Sequence, residues 1–95
     1  MGSNPIGSTI LFVQFFVYVL QSRTSGRYYV GQTQDLDQRI AYHNANYSKS
    51  LKNRGPWELV YWETFATRSE AVRRERHIKR QKDREFIARL VRASR

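Results

Sequence analysis

Glu75 is the side chain whose position most needs a reason. It lies four residues after Ala71, three after Val72 and three before Ile78. At helical spacing that puts it on the inward apolar stripe. A carboxylate there must be paired or must bind a metal ion, because a bare buried charge is very costly. The spacing admits both readings, a metal ligand or a salt bridge to an arginine of another element. Arg73, Arg74, Arg76, Lys79 and Arg80 occupy the other faces of the same segment. Arg39 and His43 are four apart and share a helix face, beside Leu36 and Ile40, at a half-buried position. An arginine there can clamp a phosphate with its fork of donors, and a histidine can move a proton near neutral pH. The ordinary alternative is an i,i+4 pair between Asp35 and Arg39, with His43 simply ending the helix. Tyr18 and Tyr29 fall on neighbouring strands. A tyrosine hydroxyl, with a pKa of about 10, needs a cation or another base to act as a base at pH 7. The sequence has six tyrosines, and spacing alone does not single out these two.

The elements that must position these residues follow from pattern. Phe15 to Leu20 and Arg27 to Gly31 are β-branched and aromatic runs, with Ser25-Gly26 between them as a turn signal, and they read as a hairpin. Asp35 to about Asn44 reads as a helix capped by Thr33 or Asp35, with Leu36 and Ile40 inward. Residues 45–56 form a polar loop carrying Lys49, Lys52 and Arg54. Trp57 to Phe65 reads as a third strand. Thr67-Arg68-Ser69-Glu70 has the spacing of a capping box and starts a helix to about Gln81. A last amphipathic helix puts Phe86, Ile87, Leu90 and Val91 on one face. The expected fold is a mixed α/β (α+β) sandwich, a three-stranded, mostly antiparallel sheet flanked by helices in the order β-β-α-β-α-α.

Bulk properties narrow the function class. The chain has 95 residues, which allows one domain. Seventeen Lys and Arg against eight Asp and Glu give a net charge of +9 and a pI near 10.5. Eleven of those cations lie between Arg68 and Arg95 against four acids. That is too one-sided for a face of i,i+4 pairs and suits a phosphate-tracking surface. The absence of cysteine excludes a disulfide framework and a thiolate zinc site and fits a cytoplasmic location. The apolar run Ile10 to Leu20 is too short to span a bilayer as a helix, and it lacks the flanks of a signal peptide, so no membrane partner is expected. No Walker loop, Gly-x-Ser-x-Gly or dinucleotide fingerprint is present. Residues 1–14 read as a flexible extension to a domain spanning 15–93. The string Gly2-Ser3-Asn4-Pro5 fits three origins: a start placed inside an upstream transfer-RNA gene, a tag, or an ordinary tail.

From about Phe15 to Val91 the sequence resembles the GIY-YIG nuclease family. Phe16-Val17-Tyr18 and Tyr29-Val30-Gly31 correspond to the two family tripeptides. Gly31-Gln32-Thr33, Asp35-Leu36 and Arg39 follow, then Arg54-Gly55-Pro56-Trp57-Glu58-Leu59-Val60-Tyr61, Ser69-Glu70-Ala71 and Arg74-Glu75 with Ile78-Lys79. The ordered set is specific where any one piece would not be. It is most similar to short stand-alone bacterial members, and similar to the UvrC N-terminal and Slx-type nuclease domains.

The resemblance implies roles position by position. Glu75 matches the single metal-binding carboxylate, for Mg²⁺ or Mn²⁺. Tyr18 and Tyr29 match the tyrosines that position or deprotonate the attacking water. Arg39 matches the arginine that steadies the scissile phosphate, and His43 a proton acceptor. Gly31 would let backbone approach the site. Nucleic-acid contacts are expected from Gly31, Gln32, Lys49, Lys52, Arg54, Arg74 and Lys79. The implied activity is structure-directed hydrolysis of duplex, branched, nicked or flapped DNA in repair or recombination, with a homodimer or a protein partner supplying substrate choice. Phe16 replaces the leading Gly of the first tripeptide, Gln32 stands where some relatives carry Lys, and the late Asn of many members has no match, the last here being Asn53. The last two departures favour the alternative, a catalytically weak nucleic-acid-binding module on the same fold. A ribosome-associated basic protein would explain the charge alone.

Overall fold

The structure is a computed structural model that describes residues 13–45 and 55–94. Strand β1 (Phe15–Ser22) lies between β2 (Tyr28–Thr33) and β3 (Trp57–Phe65), antiparallel to both. Helix α1 (Leu36–Asn44) follows β2, and α2 (Arg68–Arg80) and α3 (Arg84–Ala93) follow β3. The expected order of elements is therefore present. A central strand covered on both sides should be apolar on both sides, and Val17, Tyr18, Val19 and Leu20 are all buried. Val17 and Val19 pack with Val30, Ala71 and Ile78 under Phe86, Ile87 and Leu90 of α3. Tyr18 and Leu20 face the other way, with Trp57 and with Leu36 and Ile40 of α1.

Both hairpin strands run two residues beyond the apolar runs, into Gln21-Ser22 and Gln32-Thr33. Pairing carries these polar ends: Gln21 and Ser22 lie opposite Glu58 and Trp57. Buried Ser22 closes the turn, its Oγ accepting from the backbone N–H of Thr24 and Ser25. Gly26 sits there at φ +77°, a left-handed conformation glycine adopts without strain.

Of the two cap candidates for α1, Asp35 takes the position. Its carboxylate accepts from Gln38 N at 3.0 Å, while Thr33 ends β2 and its Oγ1 accepts from Asp35 N. The far end of α1 is pinned to β3 by Asn44, whose Oδ1 accepts from Trp57 N at 2.7 Å and whose Nδ2 donates to Trp57 O at 3.1 Å. Helix α2 begins with the expected capping box between Thr67 and Glu70. Asp83 caps α3, and Lys82 turns the chain between the helices at φ +48°. Lys49, Lys52, Arg54 and the N-terminal extension before Val13 lie outside the described residues.

Candidate active site

Gly31 makes the site possible. It pairs with Tyr18 across β1 and β2, so the two residues project to one face of the sheet. A Cβ on Gly31 would lie 2.5 Å from the Tyr18 hydroxyl oxygen and 2.7 Å from Cζ. The Tyr18 ring therefore lies over β2 in the space a side chain would fill. Its hydroxyl meets His43 Nε2 of α1 at 3.1 Å, in a buried contact. Tyr29 projects from β2 on the same side. Its ring centroid is 6.3 Å from Tyr18 and 5.1 Å from His43, which it meets edge-on. The three rings form one cluster, and the Asn44 clasp beside it holds the helix end that carries His43.

His43 is only 3% exposed, and its Nδ1 is buried without a hydrogen-bond partner among the described residues. Burial holds the His43 pKa below its ordinary value, and the charge of Arg39 adds to that. His43 is thus a neutral imidazole at pH 7, able to accept a proton. Burial pushes the Tyr18 phenol well above its ordinary value, Tyr29 and Glu75 add to the rise, and Arg39 opposes it. Tyr18 is a neutral phenol, a donor and not a base by itself. The expected shared environment of Arg39 and His43 is split: His43 is buried, whereas Arg39 is exposed, its guanidinium carbon 5.4 Å from the Tyr42 ring centroid. Among the described residues no ion pair joins Asp35 to Arg39, because the Asp35 carboxylate caps the helix.

Glu75 arrives from α2 at the same place. Its side chain is 18% exposed, and Oε2 accepts from Lys79 Nζ at 2.7 Å. Its partner is therefore a lysine one turn along its own helix, not an arginine of another element. The Lys79 ammonium also lies 5.9 Å from the Tyr29 ring centroid. A half-exposed lysine on a flexible stem can leave, and a carboxylate oriented towards a cation remains. Among the described residues no group of three His, Cys, Asp or Glu could hold a metal ion. A single hard carboxylate nevertheless fits Mg²⁺ or Mn²⁺, since such ions keep several waters and bind through one or two carboxylates plus substrate phosphates. Glu75 is the residue that could hold one.

The remaining assigned positions divide. Gln32 Oε1 accepts from Arg68 at 3.3 Å, a contact across 36 residues that no local pattern announces. Arg74 is not presented to a phosphate. Its fork is bidentate on Glu63 of β3 at 2.9 and 3.0 Å, and the Tyr61 hydroxyl donates to the same carboxylate. Burial works against the Glu63 charge, but these bonds more than offset it and leave its pKa low. Burial and Glu63 push the Tyr61 phenol up to about 12.

Residues 14–87 match the GIY-YIG catalytic domain family, a family of endonucleases. A UPF0213 protein of Staphylococcus epidermidis is 43% identical over 65 residues, covering 67% of this chain and 78% of that protein. One from Halobacterium salinarum is 44% identical over 64 residues, covering 66% and 82%. The solution NMR structure of a UPF0213 protein from Bacillus halodurans superposes with a TM-score of 0.53 at 33% identity, covering 84% of each chain. Together with the two aligned tripeptides and the cluster of Tyr18, Tyr29, His43 and Glu75, these matches show that the chain belongs to the GIY-YIG family.

Proposed function

We propose that this protein is a metal-dependent DNA endonuclease that hydrolyses phosphodiester bonds, directed to branched, nicked or flapped DNA in repair or recombination. The observation that carries the reading is the cluster itself: two phenols, a neutral imidazole and one carboxylate already facing a cation, with the exposed Arg39 close enough to act on Tyr18 and His43 electrostatically. Glu75 would hold Mg²⁺ or Mn²⁺, which would polarise the phosphate and stabilise the leaving oxygen. Arg39, exposed beside the cluster, steadies the phosphate with its fork. Tyr29 orients the attacking water. Tyr18 takes a proton from that water as it passes its own to His43 Nε2, for which the 3.1 Å contact is already in place. The water oxygen bonds to phosphorus, one ester P–O bond breaks, and the departing oxygen is protonated by solvent.

The charge of +9 supports a DNA partner, and a dimer or a protein partner would extend so small a footprint. Among the described residues no helix is long and apolar enough to cross a membrane. A second reading, a binding module that cuts weakly, is favoured by one observation: Lys79 already neutralises Glu75. The test incubates labelled duplex, nicked, flapped and four-way DNA with the protein and Mg²⁺, Mn²⁺ or EDTA, beside Glu75→Ala. Metal-dependent cutting that the variant loses is the expected result. Salt-sensitive binding without cutting would establish the binding module instead.

A further inference from the structure

Around the β2 edge from the site, on the face of the sheet that α2 and α3 cover, a groove between β2 and the turn that joins the two helices has a volume of about 510 Å³. Its floor is apolar, made by Tyr28, Val30, Ile78 and Ile87. Arg84 stiffens one wall: its guanidinium stacks over the Tyr28 ring at 4.8 Å and donates to Gly26 O at 2.8 Å. The rim is cationic. Arg27 and Lys82 line it with side chains that make no ion pair or hydrogen bond among the described residues. The single acid of the lining, Asp83, is occupied in capping α3 through Glu85 N at 2.9 Å. Lys82 holds its place at φ +48°, a conformation that favours glycine. What lysine adds there is its charge. Of two further lining residues, Tyr29 belongs to the cluster and Lys79 lies against it, so groove and site share a wall.

An apolar floor under unpaired cations suits a flat base with its phosphate. The volume is that of a small-ligand site. A base inside a duplex is stacked and cannot reach such a floor; one outside the stack can. We propose that this groove receives one unpaired nucleotide adjoining the bond to be cut, its base against Ile87 and the Arg84 guanidinium that covers Tyr28, and its phosphate against Arg27 and Lys82. This rests on the DNA-cutting reading above and names what would make that activity structure-directed.

The test measures binding by fluorescence anisotropy, without divalent metal, to three nicked duplexes of one sequence. One is flush, one carries a single unpaired nucleotide at the nick, and one carries an unpaired abasic residue there. The wild-type protein is expected to bind the unpaired nucleotide about tenfold more tightly than either other DNA. The double variant Arg27→Ala/Lys82→Gly, which changes two exposed side chains and relieves the Lys82 backbone, is expected to lose most of that preference while keeping its melting temperature. Equal affinity for the base-bearing and abasic DNAs overturns the proposal and leaves the groove to a protein segment. An equal loss on all three DNAs also overturns it, reducing the rim to general phosphate contact. Cleavage of the flush nick with Mg²⁺ is followed in parallel. Cutting without preference defeats the groove alone, whereas preference without cutting defeats the nuclease reading alone.

Discussion

Glu63 and Glu75 are nearly equally shielded, with side chains 21% and 18% exposed, yet they are held in opposite ways. Glu63 faces a rigid fork: Arg74 binds it through two nitrogens, Tyr61 donates a third bond, and Arg74 is itself only 27% exposed. Among the described residues Glu75 has one bond, from a lysine that is half in solvent. Adjacent residues of one helix thus reach apart, Arg74 to the β3 side of the sheet and Glu75 to the cluster that Tyr18 forms over β2. A carboxylate saturated by guanidinium and phenol is a structural group. One held by a single removable ammonium beside two phenols and an imidazole is an available ligand.

The largest effect is expected at the packing that creates the site. Gly31→Ala forces the new methyl against the Tyr18 hydroxyl oxygen at 2.5 Å, and overpacking of this kind costs about 1–3 kcal/mol. With Tyr18 displaced from His43, cleavage is expected to fall at least about tenfold, read by single-turnover kinetics beside a thermal melt. Unchanged cleavage would show that the Tyr18–His43 contact is not used.

Next comes Glu63→Gln, which leaves the Arg74 charge poorly answered at a mostly shielded position. The loss of charge-assisted hydrogen bonds is expected to cost about 1–2 kcal/mol, a fall in Tm of roughly 5–10 °C for a domain this size. At a temperature where the variant is folded, cleavage should stay within about twofold, since one kcal/mol in the barrier would already change it about fivefold. Cleavage lost together with stability would erase the distinction between the two glutamates.

A smaller effect follows from His43. Its folded pKa is depressed below the ordinary value, so near that value the unfolded chain binds more protons than the folded one. Stability then rises with pH through this window and is lost as pH falls below about 6.5. Melting temperatures across pH 5 to 7.5 should show this decline, and His43→Gln should flatten it. A decline unchanged in the variant would place its origin elsewhere. The smallest effect is expected for Lys79→Ala. Removing an i,i+4 pair whose lysine is half in solvent changes stability by about 0.5 kcal/mol or less. It should lower the Mn²⁺ concentration for half-maximal cutting, because the ion no longer competes with an ammonium for Glu75. A higher Mn²⁺ requirement would mean that Lys79 itself contacts the DNA.

The order of elements, the bounds of β3, the capping box at Thr67 and the inward place of Glu75 were all legible in the sequence, because each rests on local spacing. The partners were not, because they depend on register between distant elements. That Glu63 takes Arg74, or that Gln32 meets Arg68, needs β3 and β2 fixed against α2 first. Glu75 posed a different difficulty: helical spacing offers Lys79 as readily as a distant arginine, and only the folded side chains decide. Gly31 was expected to admit backbone to the site, and instead it makes room for the Tyr18 ring. The groove cations Arg27 and Lys82 carried no signal beyond charge, and the left-handed turn at Lys82 has none of the glycine that would have marked it.

The most direct test is the single-turnover rate of Glu75→Gln on nicked DNA across a Mn²⁺ titration, with affinity for the same DNA measured alongside. The variant is expected to bind at least as tightly as the wild-type protein, to melt within about 2 °C of it, and to cut at least about a hundredfold more slowly at every Mn²⁺ concentration. Cutting at the wild-type rate, or a fall of many degrees in melting temperature with binding lost, would contradict the account and return Glu75 to the structural role that Glu63 already fills.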